Sequence, residues 1–504
     1  MKESFFTIIR NFYESTVFVY AMSLLVLYIS LAILSFIGIS IYRKKSKYLD
    51  YEKLLGSPLT PGISVIAPAF NEGVTIIQNV RSLLTLNYSR FEVIIINDGS
   101  TDDTLEKLIE EFKLVEVDFA YNEKIKTQPV KRIFRSTNGA YDKLLVLDKV
   151  NGKSKADGSN AGINAAAFDY FLCTDVDCII EKDTLLKMIQ PFMDEESRKL
   201  RDKSVPCPNC GYIQDSRRVI ATGATLRMVN SCEIEEGVIT RVKAPKRLLP
   251  RFQEMEYLRA YLLGKMGWSS INCVPNVSGG LGLFDKEIAI KAGGYDHKSF
   301  AEDMDIITRM CAYMRDNNKK YAIRYIPVAL CWTEGPPNMK IFSRQRTRWA
   351  RGLFQIMDMH KKIIFNPRYG RLGMVVYPYS LIFEFLAPII EFTGILYYIY
   401  IVVTHQINWH YAIILLVFAY FFSVMITTLS ILWDQITHRH YKSWFEVISL
   451  SMMAFLEPLL YHPLIVFFSL RGYWFFITGR KHTWGNMQRQ GFGQEQAKMK
   501  PQIS

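Results

Sequence analysis

Several familiar signatures are missing from this 504-residue chain, and each absence narrows its chemistry. No G-x-G-x-x-G run follows the first β-rich segment, which argues against the dinucleotide-binding turn of a dehydrogenase. Cysteine is scarce and scattered. Of eight cysteines only Cys207 and Cys210 share C-x-x-C spacing, so there is no disulfide framework. Cys207-Pro208-Asn209-Cys210-Gly211 resembles half a zinc knuckle, but without a second C-x-x-C it reads as a turn. Internal repeats, a low-complexity linker and a second soluble domain are all lacking. Charge is absent altogether from residues 17–42.

That uncharged run would extend roughly 39 Å as a helix, enough to cross a hydrocarbon core of about 30 Å with some tilt. It is longer than the apolar core of a signal peptide, and no small-residue cleavage site follows it. Arg43, Lys44, Lys45 and Lys47 come directly after the run, whereas Lys2 and Arg10 are balanced by Glu3 and Glu14 before it. By the positive-inside rule the amino terminus is outside and the chain from Arg43 onward is cytoplasmic. Further apolar runs occupy residues 373–403, 409–433 and 444–478. The loop 434–442 carries His438, Arg439, His440 and Lys442, which assigns it to the cytoplasm. Pro458, Pro463 and Arg471 interrupt the last run, which therefore reads as one kinked span or a short hairpin. The basic tail, with Arg480, Lys481, Arg489, Lys498 and Lys500, favours the hairpin and an internal carboxyl terminus. Glu384 and Glu391, seven residues apart, fall on one helix face. They imply either a water-filled path or a hydrogen bond to a neighbouring helix.

The net charge of +13 is not a nucleic-acid footprint, because the basic residues flank apolar runs or cluster near Arg344 and no DNA- or RNA-binding motif accompanies them. Anionic lipid is the simpler partner.

Between residues 62 and 337 short β-rich runs (63–67, 93–96, 144–147, 170–174) alternate with helical stretches (75–86, 101–112, 157–168). Such alternation predicts an α/β domain built on an open, mostly parallel sheet, with ligands outside the carboxyl ends of the strands. The acidic residues fall there. Asp98-Gly99-Ser100 follows one strand and Asp175-Val176-Asp177 another, and carboxylates are the ligands that Mg²⁺ or Mn²⁺ takes when it bridges a diphosphate. Each motif alone is equally an ordinary turn or cap.

Their order is more informative. Pro68-Ala69-Phe70-Asn71-Glu72, Asp98-Gly99-Ser100, Lys155-Ala156-Asp157-Gly158-Ser159-Asn160-Ala161-Gly162 and Asp175-Val176-Asp177 are followed by Ser278-Gly279-Gly280, Gly293-Gly294-Tyr295, Ala301-Glu302-Asp303-Met304-Asp305 and Gln345-Arg346-Thr347-Arg348-Trp349. This series resembles the family-two glycosyltransferases, the group of cellulose, chitin, hyaluronan and poly-N-acetylglucosamine synthases. Thr333-Glu334-Gly335-Pro336 and Trp484-Gly485-Asn486-Met487 fit the likeness more loosely. The resemblance implies a GT-A type nucleotide-sugar-binding domain inserted between transmembrane helices. Phe70, Glu72 and Asp98 would hold the nucleoside, Lys155 would meet the diphosphate, and Asp175 and Asp177 would bind nucleotide and a Mg²⁺ or Mn²⁺ ion. Asp303, with Glu302 beside it, would be the general base, its pKa raised by the crowd of Glu302 and Asp305. Gln345 and Arg348 would steady the leaving diphosphate, and Trp349 would stack on the acceptor sugar.

The expected organisation is a membrane anchor (1–48), a cytoplasmic catalytic domain (49–338), an amphipathic interfacial segment (339–372), carboxy-terminal spans (373–480) and a basic cytoplasmic tail (481–504). The expected activity is inverting, metal-dependent transfer of a hexose or N-acetylhexosamine from a nucleotide diphosphate to a growing β-linked glycan at the inner membrane, with accessory exopolysaccharide proteins as partners. Transfer of a single sugar to a lipid-linked acceptor is the alternative within the fold. A catalytically silent membrane scaffold is the alternative outside it.

Overall fold

The computed structural model describes residues 2–46, 55, 57, 60–199, 217–235 and 238–480. Cys207, Cys210, the basic residues of the tail from Lys481 and the motif Trp484 to Met487 lie outside the described residues.

The chain opens with one long helix, α1 (Lys2–Ser46), that ends on Arg43, Lys44 and Lys45. The α/β region follows in the order β1 (Ile63–Ala69), α2 (Ile76–Leu84), β2 (Phe91–Asn97), α3 (Thr104–Phe112), β3 (Leu114–Glu116), β4 (Val130–Ser136), β5 (Leu144–Lys149), α4 (Lys155–Ala165), β6 (Tyr170–Thr174), β7 (Ile179–Ile180) and α5 (Thr184–Lys199). It continues with β8 (Arg218–Met228), β9 (Glu233–Glu235), β10 (Val238–Arg241), α6 (Leu248–Tyr257), α7 (Met266–Ser270), β11 (Leu281–Asp285), α8 (Lys286–Lys291), α9 (Glu302–Asp316) and β12 (Tyr321–Thr333). β1, β2, β5 and β6 read as continuous apolar runs because both faces of the sheet are covered, and nearly every residue in them is buried.

Ten strands form one sheet in the order β3-β4-β5-β2-β1-β6-β11-β8-β12-β7. The four strands expected from sequence are its parallel heart: β1 pairs in parallel with β2 and β6, and β2 with β5. The remainder departs from an open parallel sheet. β11 inserts antiparallel between β6 and β8, and β4 pairs antiparallel with β5. The inserted strand matters for function, since Leu281 at its start pairs with Thr174 at the end of β6. The loop before β11 is thereby delivered to the edge that carries Asp175.

After the sheet comes α10 (Met339–Met359), capped where Asn338 Oδ1 accepts from Ile341 N at 3.0 Å. Among the described residues four helices are long and apolar enough to cross a membrane: residues Arg10–Ser46 of α1, then α11 (Leu372–Val403), α12 (Trp409–His438) and, after the short α13 (Trp444–Met453), α14 (Glu457–Ile477). The last apolar region is thus two helices, of which α13, about 15 Å long, is too short to cross. α14 runs alongside α10 in the same direction: Phe342 packs on Phe468, and Phe354 on Phe476. A Cβ at Gly472 would stand 2.6 Å from the Thr347 carbonyl oxygen, so only glycine permits this approach. Ile39 of α1 packs into the main core of the sheet domain, and Asp434 of α12 ion-pairs with Arg227 of β8 at 2.9 Å. The carboxyl ends of α1 and α12 therefore both abut the α/β domain.

Candidate active site

Three loops leave the parallel strands at one edge. β1 ends in Phe70, which is half exposed, and Asn71, whose left-handed backbone (φ 57°) lets its Oδ1 accept from Thr101 N at 2.8 Å. Asp98 N donates to the Ala69 carbonyl at 2.9 Å, and Gly99 (φ 65°) makes the turn that follows. Phe70, Glu72 and Asp98 thus sit on loops tied to one another. The Glu72 carboxylate accepts from Thr75 Oγ1 at 3.3 Å.

Asp98 is buried, and its Oδ1 accepts from Lys149 Nζ at 2.6 Å and Gly152 N at 3.0 Å. Lys149, fully buried at the end of β5, also pairs with Asp157 at 2.5 Å. One lysine therefore neutralises two buried carboxylates, which would otherwise be costly. Sequence reading missed Lys149. Its signal was a lysine closing an apolar strand, Leu144-Leu145-Val146-Leu147-Asp148-Lys149.

α4 begins where Ser154 Oγ accepts from Ala156 N, and this places Lys155 in the first turn. Its Nζ donates to the Gly279 carbonyl at 2.6 Å and lies 2.5 Å from Asp175 Oδ1. Burial pulls the Lys155 pKa down, but the Asp175 and Glu302 carboxylates outweigh it and hold the ammonium firmly charged. Asp175, Asp177 and Cys178 present ligand atoms that all lie within 4.8 Å of one another, and Asp177 is buried.

Gly279 joins the two halves of the site. A Cβ placed on it would be 3.7 Å from Asp303 Cβ, 3.8 Å from Lys155 Nζ and 3.9 Å from Glu302 Oε1. On Gly280 it would be 3.7 Å from Asp175 Oδ2. The antiparallel strand thus brings Lys155, Asp175, Glu302 and Asp303 around one glycine pair. Asp303 Oδ2 accepts from Asn276 Nδ2 at 3.1 Å, a partner that no sequence motif announced. The expected crowding acts on Glu302: burial and then Asp303 raise its pKa, against the opposing charges of Arg348 and Lys155. Asp305 takes no part in it. That carboxylate is turned into the domain, onto Arg309 at 2.7 Å and His360 Nε2 at 2.8 Å, and these partners hold its pKa low in spite of its burial. The expectation that Asp305 joins the crowd is corrected by this turn, which follows from helix geometry because residue 305 lies about 200° around the axis from residue 303.

α10 packs over the start of α9, where a Cβ on Gly352 would be 2.9 Å from Ala301 Cβ. One to two turns earlier sit Gln345, Arg348 and Trp349. Gln345 Oε1 is buried with no hydrogen-bond partner among the described residues, the state expected of an acceptor reserved for a ligand. Trp349 is 37% exposed, and the guanidinium of Arg346 lies 4.4 Å from its ring centroid. Arg346 is itself clamped by Glu256 at 2.6 and 2.7 Å and donates to Tyr461 Oη at 3.0 Å.

A GT-A sheet whose strand ends carry paired carboxylates, a charged lysine and a second acidic pair across a glycine loop defines a nucleotide-sugar-dependent glycosyltransferase. Comparisons with known proteins agree. The glycosyl transferase family 2 model matches residues 64–199 and the glycosyl transferase family group 2 model matches residues 251–433. The chain belongs to the family-2 glycosyltransferases.

The poly-beta-1,6-N-acetyl-D-glucosamine synthase of Staphylococcus aureus (strain COL) is 25% identical over 298 residues, 59% of this chain and 55% of that protein. The synthase of Staphylococcus epidermidis is 26% identical over 296 residues, with the same coverage. The chain thus spans about half the length of the curated relatives it matches. Among solved structures, a mannosyltransferase from Pyrobaculum calidifontis in complex with GDP-Man and Mn²⁺ matches 91% of this chain and 100% of its own at 15% identity and a TM-score of 0.44. S. aureus TarS 1-349 in complex with UDP-GlcNAc matches 65% and 78% at 15% identity and a TM-score of 0.33.

Proposed function

We propose that this chain extends a β-linked glycan, one sugar at a time, from a uridine-diphosphate hexose or N-acetylhexosamine, with its catalytic domain at the cytoplasmic face of the cell membrane. The carrying observation is the convergence on Gly279 of Lys155 and Asp175 from the donor side with Glu302 and Asp303 from the other. Phe70, Glu72 and Asp98 hold the nucleoside. Asp175 and Asp177 offer the hard oxygen donors that Mg²⁺ or Mn²⁺ takes, and such an ion supplies neutralisation of the diphosphate charge.

The remaining chemistry belongs to side chains. Asp303 accepts the acceptor hydroxyl's proton as that oxygen attacks the anomeric carbon from the face opposite the diphosphate. The bond to the diphosphate oxygen breaks, its electron pair leaves with the nucleotide, and the anomeric centre inverts. Lys155 and Arg348 meet the charge that develops on the leaving group, a preorganised stabilisation. Asn276 keeps Asp303 oriented, and Trp349 stacks on the acceptor ring. The contact of α1 and α12 with the domain, with basic residues at the end of α1, supports the cytoplasmic placement. The name of the staphylococcal relatives supports an N-acetylglucosamine polymer as product.

The test is to incubate detergent-purified protein with radiolabelled nucleotide sugars and Mg²⁺ or Mn²⁺ and to size the product. A polymer is expected. A product of one sugar on lipid would replace this reading with single transfer, and no transfer from any donor would end it.

A further inference from the structure

Between α6 and α7 the helix widens into a π-helical stretch, Leu258–Lys265, an irregularity common at functional sites. Its cations differ in their company. Arg259 is clamped by Glu457 at 2.7 and 3.0 Å and donates to Thr427. Lys265, half buried, has neither hydrogen bond nor ion pair among the described residues; its Nζ lies 4.5 Å from the centroid of the Tyr261 ring.

Tyr261 connects this ammonium to the reaction centre. Its hydroxyl is 3.3 Å from Ser278 Oγ, and Ser278 precedes the Gly279 that touches Lys155, Glu302 and Asp303. The charges that act on Lys265 are Asp303, the proposed base, and Glu384 of α11. The same stretch is fastened to the membrane helices, since Ser35 Oγ of α1 donates to the Leu262 carbonyl at 2.7 Å and Arg259 donates to Thr427 of α12, so Lys265 stands where the reaction centre meets them. Burial lowers its pKa to about 8, with those two carboxylates opposing the shift. An ammonium kept in such a place without a carboxylate contact is costly unless a ligand satisfies it.

Resting on the glycan-extending reading above, we propose that Lys265 is an acceptor-binding and specificity residue: its ammonium donates to ring or hydroxyl oxygens of the acceptor chain leaving Trp349, and it favours neutral or acidic sugars over amino sugars that carry a free ammonium. Three donors on a flexible stem suit a chain that must slide after each addition. A second positive charge brought close to Lys265 in a low-dielectric setting is repelled.

The experiment uses full-length wild type, Lys265→Met and Lys265→Arg in detergent. It measures binding of a short β-linked N-acetylglucosamine oligosaccharide and of its de-N-acetylated form by calorimetry, and KM for donor and acceptor in parallel. Lys265→Met is expected to weaken oligosaccharide binding and raise acceptor KM about tenfold, the size of a lost charged hydrogen bond, while donor KM stays constant. Lys265→Arg is expected to restore most of the loss. The de-N-acetylated oligosaccharide is expected to bind wild type more weakly and to gain relative to the acetylated form in Lys265→Met. Unchanged oligosaccharide binding in Lys265→Met, or an equal loss for donor and acceptor, would overturn the proposal. If wild type binds the oligosaccharide but transfers nothing to it, the glycan-extending reading fails and the binding comparison still decides the role of Lys265.

Discussion

Arg346 grips both oxygens of Glu256 at 2.6 and 2.7 Å and at the same time lies 4.4 Å from the centroid of the Trp349 ring. The middle of the Gln345–Trp349 motif is thus a brace, which fixes the tryptophan against a partly buried ion pair rooted in α6. A lysine at 346 keeps the charge but loses the two-pronged fork and the flat stacking surface. Arg346→Lys is therefore expected to raise acceptor KM, with kcat/KM down about tenfold and donor KM little changed. Steady-state kinetics with varied acceptor checks it. Trp349→Ala is expected to show the same pattern with a larger loss.

Asp303 and Glu302 are neighbours with different surroundings. Asp303 is oriented by Asn276, whereas Glu302 is half-buried, and its surroundings together with the Asp303 charge raise its pKa. If Asp303 takes the proton, Asp303→Asn lowers kcat by about 10²–10⁴ without loss of donor binding. Asn276→Ala, which frees the carboxylate to rotate, is expected to lower kcat less. Single-turnover rates and nucleotide-binding titration separate these outcomes, and full turnover in Asp303→Asn would remove it from the role of base.

The strand-end placement of much of the candidate site was legible in the sequence because the motifs occur in chain order and the local pattern of apolar runs reveals where strands stop. β1, β2, β5 and β6 are such runs, and Phe70, Asp98 and Asp175 follow directly from them. What escaped depends on partners distant in sequence. Lys149 meets Asp98 across 51 residues, Asn276 meets Asp303 across 27, and Arg227 meets Asp434 across 207. No periodicity records such pairings. The antiparallel insertion of β11 escaped for a related reason, since a short buried strand carries no sign of its direction or its neighbours. The reading of Asp305 as a member of the carboxylate crowd failed because the acidic first turn of α9 looks uniform in sequence, while the helix turns that residue inward, onto Arg309 and His360.

Asp305 gives a pH test of that correction. Its folded pKa is held below the unfolded value of about 3.9, so its ion pairs stabilise the fold above that pH and the contribution is lost as pH falls through the folded pKa. Asp305→Asn leaves Arg309 and His360 without their carboxylate, and a loss of about 3 kcal/mol is expected near neutral pH. The difference from wild type should shrink as the pH falls below about 4. Thermal unfolding of detergent-solubilised protein across pH 3–7 reads both effects.

The pairing of Lys155 with Asp175 predicts separable roles for neighbouring residues. Asp177→Asn is expected to weaken Mn²⁺ binding at least about tenfold, seen by electron paramagnetic resonance without any turnover. Lys155→Ala removes a cation from the proposed diphosphate site but no proposed metal ligand. It should leave Mn²⁺ affinity near that of wild type and lower kcat by about 10²–10³. Equal loss of Mn²⁺ binding in both variants would contradict the division of labour between them.

Arg227 offers a test of how the sheet is fastened to the membrane helices. Fully buried in β8, it pairs with Glu254 of α6 and with Asp434 of α12, donates to Tyr441 Oη at 2.8 Å, and shares Asp434 with His440 at 3.1 Å. Its Arg227→Met variant strands two carboxylates in a dry interior, and a loss of about 3–5 kcal/mol is expected. Adding Asp434→Asn relieves part of that burden, so the double variant should be more stable than Arg227→Met alone even though it has lost more charged groups. Strictly additive losses, measured by thermal unfolding, would mean that Arg227 and Asp434 do not share one network, and the sheet would then be held to α12 by apolar contacts instead.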